Sequence, residues 1–344
     1  MAEKKESPNY NLIDIFKYIF ALIIMQYHTA ICIDNYFAKV PVVWVFNKMG
    51  VPFFFACTGF FLVRKFEFEN GKIKKTFANF KKILHYEKRI FLLYVSWCVV
   101  YGFAKYFQFK DYEGYHFLKD YLYQCIFAGG YYHFWYIIAI LICVPVLYIE
   151  LTFLKIQYTI VLNLLLYVLY QVSSFYEVLP FNAAVLTALE FISRGNWLYL
   201  YVSLPLITVG VLAYQYMPKV KLTIKAAAFF LCFVLNICEV FWVIRSGKFS
   251  TFSYLLTTPF LALFTFSTLS DIKFSCNKTV CVYLRKTSTI IYCVHPLLYT
   301  LYLAIGVNAF IPDILMGAVI VTVPSCLLIW LSEKKYFKFL QYLY

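Results

Sequence analysis

The chain has 344 residues, of which 63% are hydrophobic and only 14% are charged. Soluble globular domains are much less apolar, so this composition is typical of an integral membrane protein. The formal charge of +14 does not indicate nucleic-acid binding, because the basic residues are spread along the chain instead of gathering on one solvated face.

Ten apolar runs are long enough to cross a lipid bilayer as helices. They lie near 12–32, 50–66, 90–107, 132–151, 158–175, 196–217, 224–244, 252–270, 287–306 and 310–332. The sequence therefore predicts an all-α membrane protein of about ten transmembrane helices, with one domain over 1–344 and no soluble extra domain. The segment 67–89 mixes Phe, Ile and Leu with lysines, which predicts an amphipathic helix along the inner leaflet.

The basic residues are sorted by side in this arrangement. With the N-terminus in the cytoplasm, 22 of them fall in inner segments and eight in outer segments, which predicts that both termini are cytoplasmic. Lys17 lies inside the first apolar run and no small-residue cleavage site follows it, so residues 1–32 are predicted to be a retained span. Eleven cysteines, an odd number scattered through apolar runs, favour neither a disulfide framework nor a metal site.

The first span, KYIFALIIMQYH at 17–28, contains two ionisable residues. On a helix the eleven positions from Lys17 to His28 correspond to about three turns and about 16 Å, so both side chains share one face. Alone, Lys17 could snorkel to the head groups or pair with Asp14, and His28 could be a hydrogen-bonded interhelical residue. Ionisable side chains within a span normally face protein or a water-filled cavity. Together the two residues predict a cavity with a cation at one end and a base at the other.

Two further histidines lie in or next to predicted spans. His295 precedes Pro296, which removes a backbone donor and predicts a helix kink. His295 either bonds a carbonyl that the kink frees or lines a pocket. His133 is predicted to belong to an interfacial aromatic belt, where stacking on a sugar is the alternative role. Neighbouring members of that belt are Tyr131, Tyr132, Trp135 and Tyr136.

Glu239 is the carboxylate that lies deep in a late span, within LNICEVFW. A carboxylate in hydrocarbon needs a partner. Three interpretations follow: Glu239 orients a histidine, pairs with Arg245, or pairs with Arg194.

Five motifs occur in one order along the chain. They are LIDIFKYIFALIIMQYH (12–28), GVPFFFACTGFFL (50–62), KRIFLLY (88–94), HFWYIIAIL (133–141) and KTSTIIYCVHPLLY (286–299). In this order they resemble the acyltransferase-3 family of membrane proteins. Thr58 stands where that family shows a serine, and Leu92 and Leu93 stand where a proline is expected.

The resemblance implies a multi-pass enzyme of the cell membrane that moves an acetyl group from cytoplasmic acetyl-CoA to a hydroxyl group of a cell-surface glycan or lipid-linked sugar, without a metal. Neutral imidazole suits a general base near neutral pH, so the expected catalytic residues are His28 and Asp14. The expected donor-binding residues are Lys17, Lys88 and Arg89. The expected acceptor pocket contains His295, Thr58, Trp135 and Glu239.

A transporter or flippase of a lipid-linked glycan or exported metabolite is the alternative function, since it too needs many spans and a polar cavity. Transport would not require His28 to act as a base. Three routes for the acyl group are compatible with the sequence: on an enzyme residue, within bound CoA, or by direct transfer in a continuous tunnel.

The predicted topology can be checked with reporter fusions. A reporter placed after residue 344 should be cytoplasmic, and a reporter in the loop 108–131 should lie outside, because basic residues are retained on the cytoplasmic side. An outside reporter at residue 344 would contradict the even number of spans. A cytoplasmic reporter at 108–131 would reverse every later loop.

Overall fold

The computed structural model describes residues 10–28, 40–108, 114–127, 129–174, 176–177, 182–193, 198–247, 254–304 and 310–344. In chain order its helices are α1 (Asn11–Gln26), α2 (Pro41–Val63), α3 (Phe77–Gln108), α4 (Gly114–Phe127), α5 (Trp135–Phe153), α6 (Ile156–Ser174), α7 (Asn182–Ser193), α8 (Leu204–Tyr216), α9 (Leu222–Arg245), α10 (Thr258–Asp271), α11 (Lys278–Ala304) and α12 (Phe310–Ser332). The two strands are β1 (Phe68–Glu69) and β2 (Lys72–Ile73). Shorter 3₁₀ or π-helical stretches cover Tyr132–Phe134, Leu198–Ser203, Met217–Lys219 and Lys335–Leu343.

The predominantly helical fold is confirmed, and each predicted span overlaps a helix. Among the described residues, five helices are long and apolar enough to cross a membrane. They are Pro41–Val63, Tyr132–Phe153, Ile156–Ser174, Tyr199–Lys219 and Leu222–Arg245. Ten spans and cytoplasmic termini stay predictions.

The amphipathic helix predicted over 67–89 is wrong for residues 67–76. That part forms an antiparallel hairpin in which Phe68 pairs with Ile73. Asn70 and Gly71 both have positive φ, 51° and 76°, as a type I′ turn requires, and Asn-Gly is the strongest short hairpin signal. The helix then runs from Phe77 without a break into the predicted third span.

Asn79 fixes the hairpin to the start of α3. Its side chain is fully buried and its amide nitrogen donates to the carbonyl oxygens of Glu67 and Lys74 at 3.1 and 2.9 Å. The backbone N–H of Glu67 donates in return to the Asn79 amide oxygen at 3.2 Å. A short polar structure thus replaces the expected surface helix.

The second span begins nine residues earlier than its apolar run suggests. Pro41 lies in the first turn of α2, where its missing N–H costs nothing. Lys48 is consequently inside the helix, and its ammonium lies 5.2 Å from the ring centroid of Tyr27 and 5.8 Å from that of Trp44. These cation–π contacts explain how a lysine is accommodated in an otherwise apolar helix.

The closest helix crossing is between α2 and α8. An added methyl carbon at Gly59 would collide with the carbonyl oxygen of Ile207, and one at Gly210 would collide with the carbonyl oxygen of Ala56. Small residues at such crossings let two backbones approach, which strengthens van der Waals packing between membrane helices. The crossing lies at the centre of the helical assembly, since α2 also packs against α1, α9 and α10.

Several polar side chains pair between the helices. The Asn163 amide nitrogen on α6 donates to the Glu150 carboxylate of α5 at 2.7 Å and to the Thr208 hydroxyl of α8 at 3.1 Å. Lys225 of α9, 1% exposed, forms an ion pair with Asp271 at the end of α10. Each of these contacts fixes the position of one helix along the axis of its neighbour.

The close crossing leads to a stability prediction. Gly59→Ala and Gly210→Ala should each destabilise the protein by about 1–3 kcal/mol or more, because the added methyl meets rigid backbone. Gly50→Ala is the matched control, since the nearest atoms to its methyl would be side-chain atoms of Ile24 and Phe20 instead of backbone. The measurement is the midpoint of thermal unfolding in detergent. Equal midpoints for all three variants would contradict the proposed backbone contact.

Candidate active site

A cavity of about 830 Å³ lies between α1, α2, α3, α5 and α11. Along α1 its lining extends from Tyr10 to Ile24, which is about 21 Å of helix rise. Along α11 it extends from Lys278 to Tyr292. The cavity is therefore long and narrow, and it runs beside the first span as the shared face of Lys17 predicted.

One end of the cavity carries a cluster of cations, which we call the basic end. Its members are Lys17, Lys65, Arg89, Lys278, Arg285 and Lys286. The side chains of Arg89, Lys278 and Arg285 are exposed, so this end is open to solvent. An anionic group entering there would be attracted by several positive charges from three helices and the α2–β1 connection.

Lys17 and Asp14 lie on the same helix in different contacts. The Lys17 ammonium lies 4.8 Å from the ring centroid of Phe61, inside the cavity. The Asp14 carboxylate pairs with the Arg285 guanidinium at 3.2 Å and thereby joins α1 to α11. Asp14 precedes His28 by fourteen residues, about 21 Å along the helix. The structure thus does not bring the two predicted catalytic residues together.

The two donor-binding residues expected on α3 differ in their position relative to the cavity. Arg89 lines the cavity, whereas Lys88 is exposed and is not part of the lining. The cations of α11 were counted in the sequence only as a topology signal. Lys278, Arg285 and Tyr292 recur seven residues apart, a spacing that places them on one helix face and that would have predicted their common position.

The opposite end of the cavity, which we call the aromatic end, is formed by Ile24, Val51, Phe54, Leu93, Tyr136, Ile137 and Tyr292. The rings of Tyr136 and Tyr292 contact each other with centroids 5.4 Å apart. Thr58, predicted for the acceptor pocket, lines the cavity beside the hydroxyl groups of Tyr86 and Tyr136. Thr58 is therefore between the basic end and the aromatic end.

Three histidines lie immediately beyond the aromatic end, and we call them the histidine cluster. The ring centroids of His28 and His295 are 5.4 Å apart, and those of His133 and His295 are 5.2 Å apart. His28 follows the cavity-lining residue Ile24 by four positions. His295 follows Tyr292 by three positions, and His133 precedes Tyr136 by three. Helix geometry thus places the cluster one turn past the end of the cavity.

His28 lies in a π-helical turn that directly follows α1. Such turns are frequent at functional sites because they change the direction of single side chains. The His28 ring contacts His295 and also Tyr132, at a centroid distance of 5.6 Å. This places the predicted base among residues of three separate chain segments.

The interfacial position predicted for His133 is wrong. Its side chain is 3% exposed, and its Nε2 atom donates to the carbonyl oxygen of Cys293 at 3.2 Å. Tyr292 fixes the same turn by donating from its hydroxyl to the His133 carbonyl. The sequence indicated that His133 lies at the start of a span. It did not indicate that the His133 side chain of the 3₁₀ turn would face the protein interior.

His295 is also fully buried. Its Nδ1 atom donates to the carbonyl oxygens of Tyr292 and Ile291, at 2.8 and 3.2 Å. In a regular helix the N–H of residue 296 would bond to Tyr292, and Pro296 has none. The predicted bond from His295 to the freed carbonyl is therefore confirmed.

Over the described residues, no group of three or more histidine, cysteine, aspartate or glutamate side chains has a metal-binding arrangement.

The family model of the acyltransferase-3 family, described as an acyltransferase domain, matches residues 10–331. The protein belongs to the acyltransferase-3 family. The resemblance of the five motifs is thereby confirmed, and no curated protein and no solved structure matches the chain.

The chain is thus a membrane acyltransferase with several apolar helices that can cross a bilayer. The family match gives no support to the alternative of a transporter or flippase. Because the match spans α1 to the last residues of α12, the cavity and the histidine cluster both lie within the acyltransferase domain.

Two residues expected in the acceptor pocket of the acyltransferase lie elsewhere. Trp135 packs against Phe55, with centroids 6.1 Å apart, and does not line the cavity. Glu239 accepts hydrogen bonds from the backbone N–H groups of Leu256 and Thr257 at 2.8 and 3.1 Å. It also accepts hydrogen bonds from the hydroxyl groups of Thr257 and Tyr176. Glu239 therefore holds α9 to the turn before α10.

Arg245, one of the arginine partners considered for Glu239, does not appear among its described contacts. The Arg245 guanidinium lies 4.6 Å from the ring centroid of Phe241, and Arg194 lies outside the described residues. A carboxylate with four donors is already satisfied, so Glu239 stabilises the fold next to the site.

Proposed function

We propose that the protein transfers an acetyl group from cytoplasmic acetyl-CoA to a hydroxyl group of a cell-surface glycan or lipid-linked sugar, in the cell membrane. One observation carries this proposal: a single long cavity is cationic at its solvent-open end and closes one helix turn short of three histidines. An elongated donor that is anionic at one end and carries its reactive group at the other, uncharged end fits this distribution of charge along the cavity.

The basic end is the proposed site for the phosphates of CoA. Lys17, Arg89 and Arg285 come from three different helices, so their charges surround the entrance. The Asp14 carboxylate neutralises part of the Arg285 charge and orients the guanidinium. We assign Asp14 this positioning role, and the proposed donor site does not include Lys88.

The aromatic end is the proposed site for the thioester. Its apolar and phenolic side chains suit a small uncharged group such as acetyl. The rise from Lys17 to His28, about 16 Å, suits the extended pantetheine arm. The ring of Tyr292 contacts both Tyr136 at this end and His133 of the histidine cluster, so the proposed thioester site adjoins the cluster.

His28 is the proposed general base. It takes the proton of the acceptor hydroxyl, while the hydroxyl oxygen forms a bond to the thioester carbonyl carbon. The carbon–sulfur bond breaks, and its electron pair leaves on the CoA sulfur, which receives a proton. The products are an acetyl ester and free CoA. In this direct transfer the acyl group forms no bond to an enzyme residue.

Lys17 provides the test of the donor site. Lys17→Ala should raise the KM for acetyl-CoA by about ten-fold, since hydrogen bonds to charged groups are worth about 1.5–3 kcal/mol. Lys17→Arg should keep the wild-type KM. Added salt should raise the wild-type KM more than that of Lys17→Ala.

Lys81→Ala is the matched control for Lys17, because Lys81 is an exposed lysine of α3 that does not line the cavity. Its KM should equal that of the wild type. An unchanged KM in Lys17→Ala would show that Lys17 serves only to pack on Phe61.

His28 provides the test of the chemistry. His28→Gln keeps hydrogen bonding but cannot take up a proton, so acetyl transfer should fall by roughly 100-fold or more. His28→Ala should show a similar loss at unchanged protein level. Purified protein, acetyl-CoA and an extract of surface glycan are needed, with ester formation as the readout.

His85→Gln is the control for His28, because His85 is an exposed histidine on α3. It should transfer acetyl at the wild-type rate. Near-wild-type transfer by His28→Gln would refute the assignment of the base, and His295 would be the next residue to test.

A further inference from the structure

The histidine cluster contains two ring nitrogens that the proposed base does not explain. Among the described residues, neither Nδ1 of His133 nor Nε2 of His295 has a hydrogen-bond partner, and both atoms are buried. The side chains themselves are 3% and 0% exposed. A buried polar atom without a partner is costly, and these two atoms belong to adjoining rings beside the proposed base.

The protonation of both rings follows from their other nitrogens. Nε2 of His133 and Nδ1 of His295 each face carbonyl oxygens, which only accept hydrogen bonds, so each of these nitrogens carries the proton. In a neutral imidazole the second nitrogen is then an acceptor. The two unpartnered atoms are therefore two bare lone pairs held in place by backbone carbonyls.

These lone pairs lie beside the proposed base. The rings of His133 and His295 are 5.2 Å apart, and His28 stacks on His295 at 5.4 Å. A ligand that satisfies both lone pairs must bring hydrogen-bond donors to within a few ångströms of the group that His28 deprotonates. Neighbouring hydroxyl groups on one sugar ring offer several hydrogen-bond donors at such short range.

We propose that His133 and His295 bind the acceptor, and that the acceptor is a polyol whose acylated hydroxyl has a hydroxyl neighbour. His28 takes the proton of one hydroxyl group, and the bare nitrogens of His133 and His295 accept hydrogen bonds from the hydroxyl groups beside it. This inference rests on the proposed function and specifies its acceptor class.

Asparagine and glutamine variants separate the two nitrogens of each ring, because an Asn amide lies near the Nδ1 position and a Gln amide near the Nε2 position. His133→Gln and His295→Asn keep the donor to the carbonyl and remove the bare acceptor. His133→Asn and His295→Gln keep an acceptor at the bare position and remove the donor. Each histidine therefore has one variant that removes the bare acceptor and one variant that removes the donor.

The probes are a methyl hexopyranoside and its analogue lacking one hydroxyl next to the acylated position, with acetyl-CoA as donor and full-length protein in detergent. Wild type should prefer the intact sugar by about ten-fold in kcat/KM, the effect of one or two hydrogen bonds. His133→Gln and His295→Asn should lose that preference through KM, with their unfolding midpoints unchanged. His133→Asn and His295→Gln should keep the preference and unfold at lower temperature.

A purely structural role for the two histidines predicts a preference that is the same in all four variants, and this result would overturn the inference. Transfer to neither sugar, while acetyl-CoA is still hydrolysed with a dependence on His28, would also overturn it but leave the proposed function in place. The absence of both transfer and hydrolysis in the wild type would refute the proposed function itself.

Discussion

Hydrocarbon offers no hydrogen bonds, so a backbone polar group within the membrane needs a partner inside the protein. This constraint explains the site as well as the fold. Pro296 leaves the Tyr292 carbonyl without its helical donor, and Nδ1 of His295 replaces that donor at 2.8 Å. The repair buries a histidine in one defined orientation. A local defect in a helix thus positions an imidazole next to the cavity.

The same constraint explains most other polar residues of the helices. Glu239 satisfies the turn before α10, and Asn163 joins three helices through Glu150 and Thr208. Asp14 binds Arg285 across α1 and α11. Polar residues of this kind are easily recognised in an apolar sequence, and they are costly to place in hydrocarbon. Their cost shows that each has a partner, but it does not distinguish a structural partner from a substrate.

Much of the fold could be predicted, because apolar runs of sufficient length specify helices almost regardless of context. Helix geometry alone predicted a shared face for Lys17 and His28. The cavity extends along α1 beside Lys17, whereas His28 lies in a π-helical turn past its lining. The hairpin at Asn70 and Gly71 had a local signal that the surrounding lysines obscured. The ion pair of Asp14 and Arg285 joins residues 271 positions apart, and no local pattern contains such a contact. The burial of His133 likewise depends on the packing of α11 against the turn before α5.

The aromatic end of the cavity has an electrical consequence. A cavity that extends about 21 Å along the first helix is comparable in length with a hydrocarbon layer of about 30 Å. Where such a cavity opens to solvent at one membrane face, the transmembrane voltage falls mainly across the protein that closes its other end, here the aromatic end and the histidine cluster beyond it. Any charge that moves between His28 and the cavity crosses this field, at about 2.3 kcal/mol per elementary charge for the full drop of 100 mV.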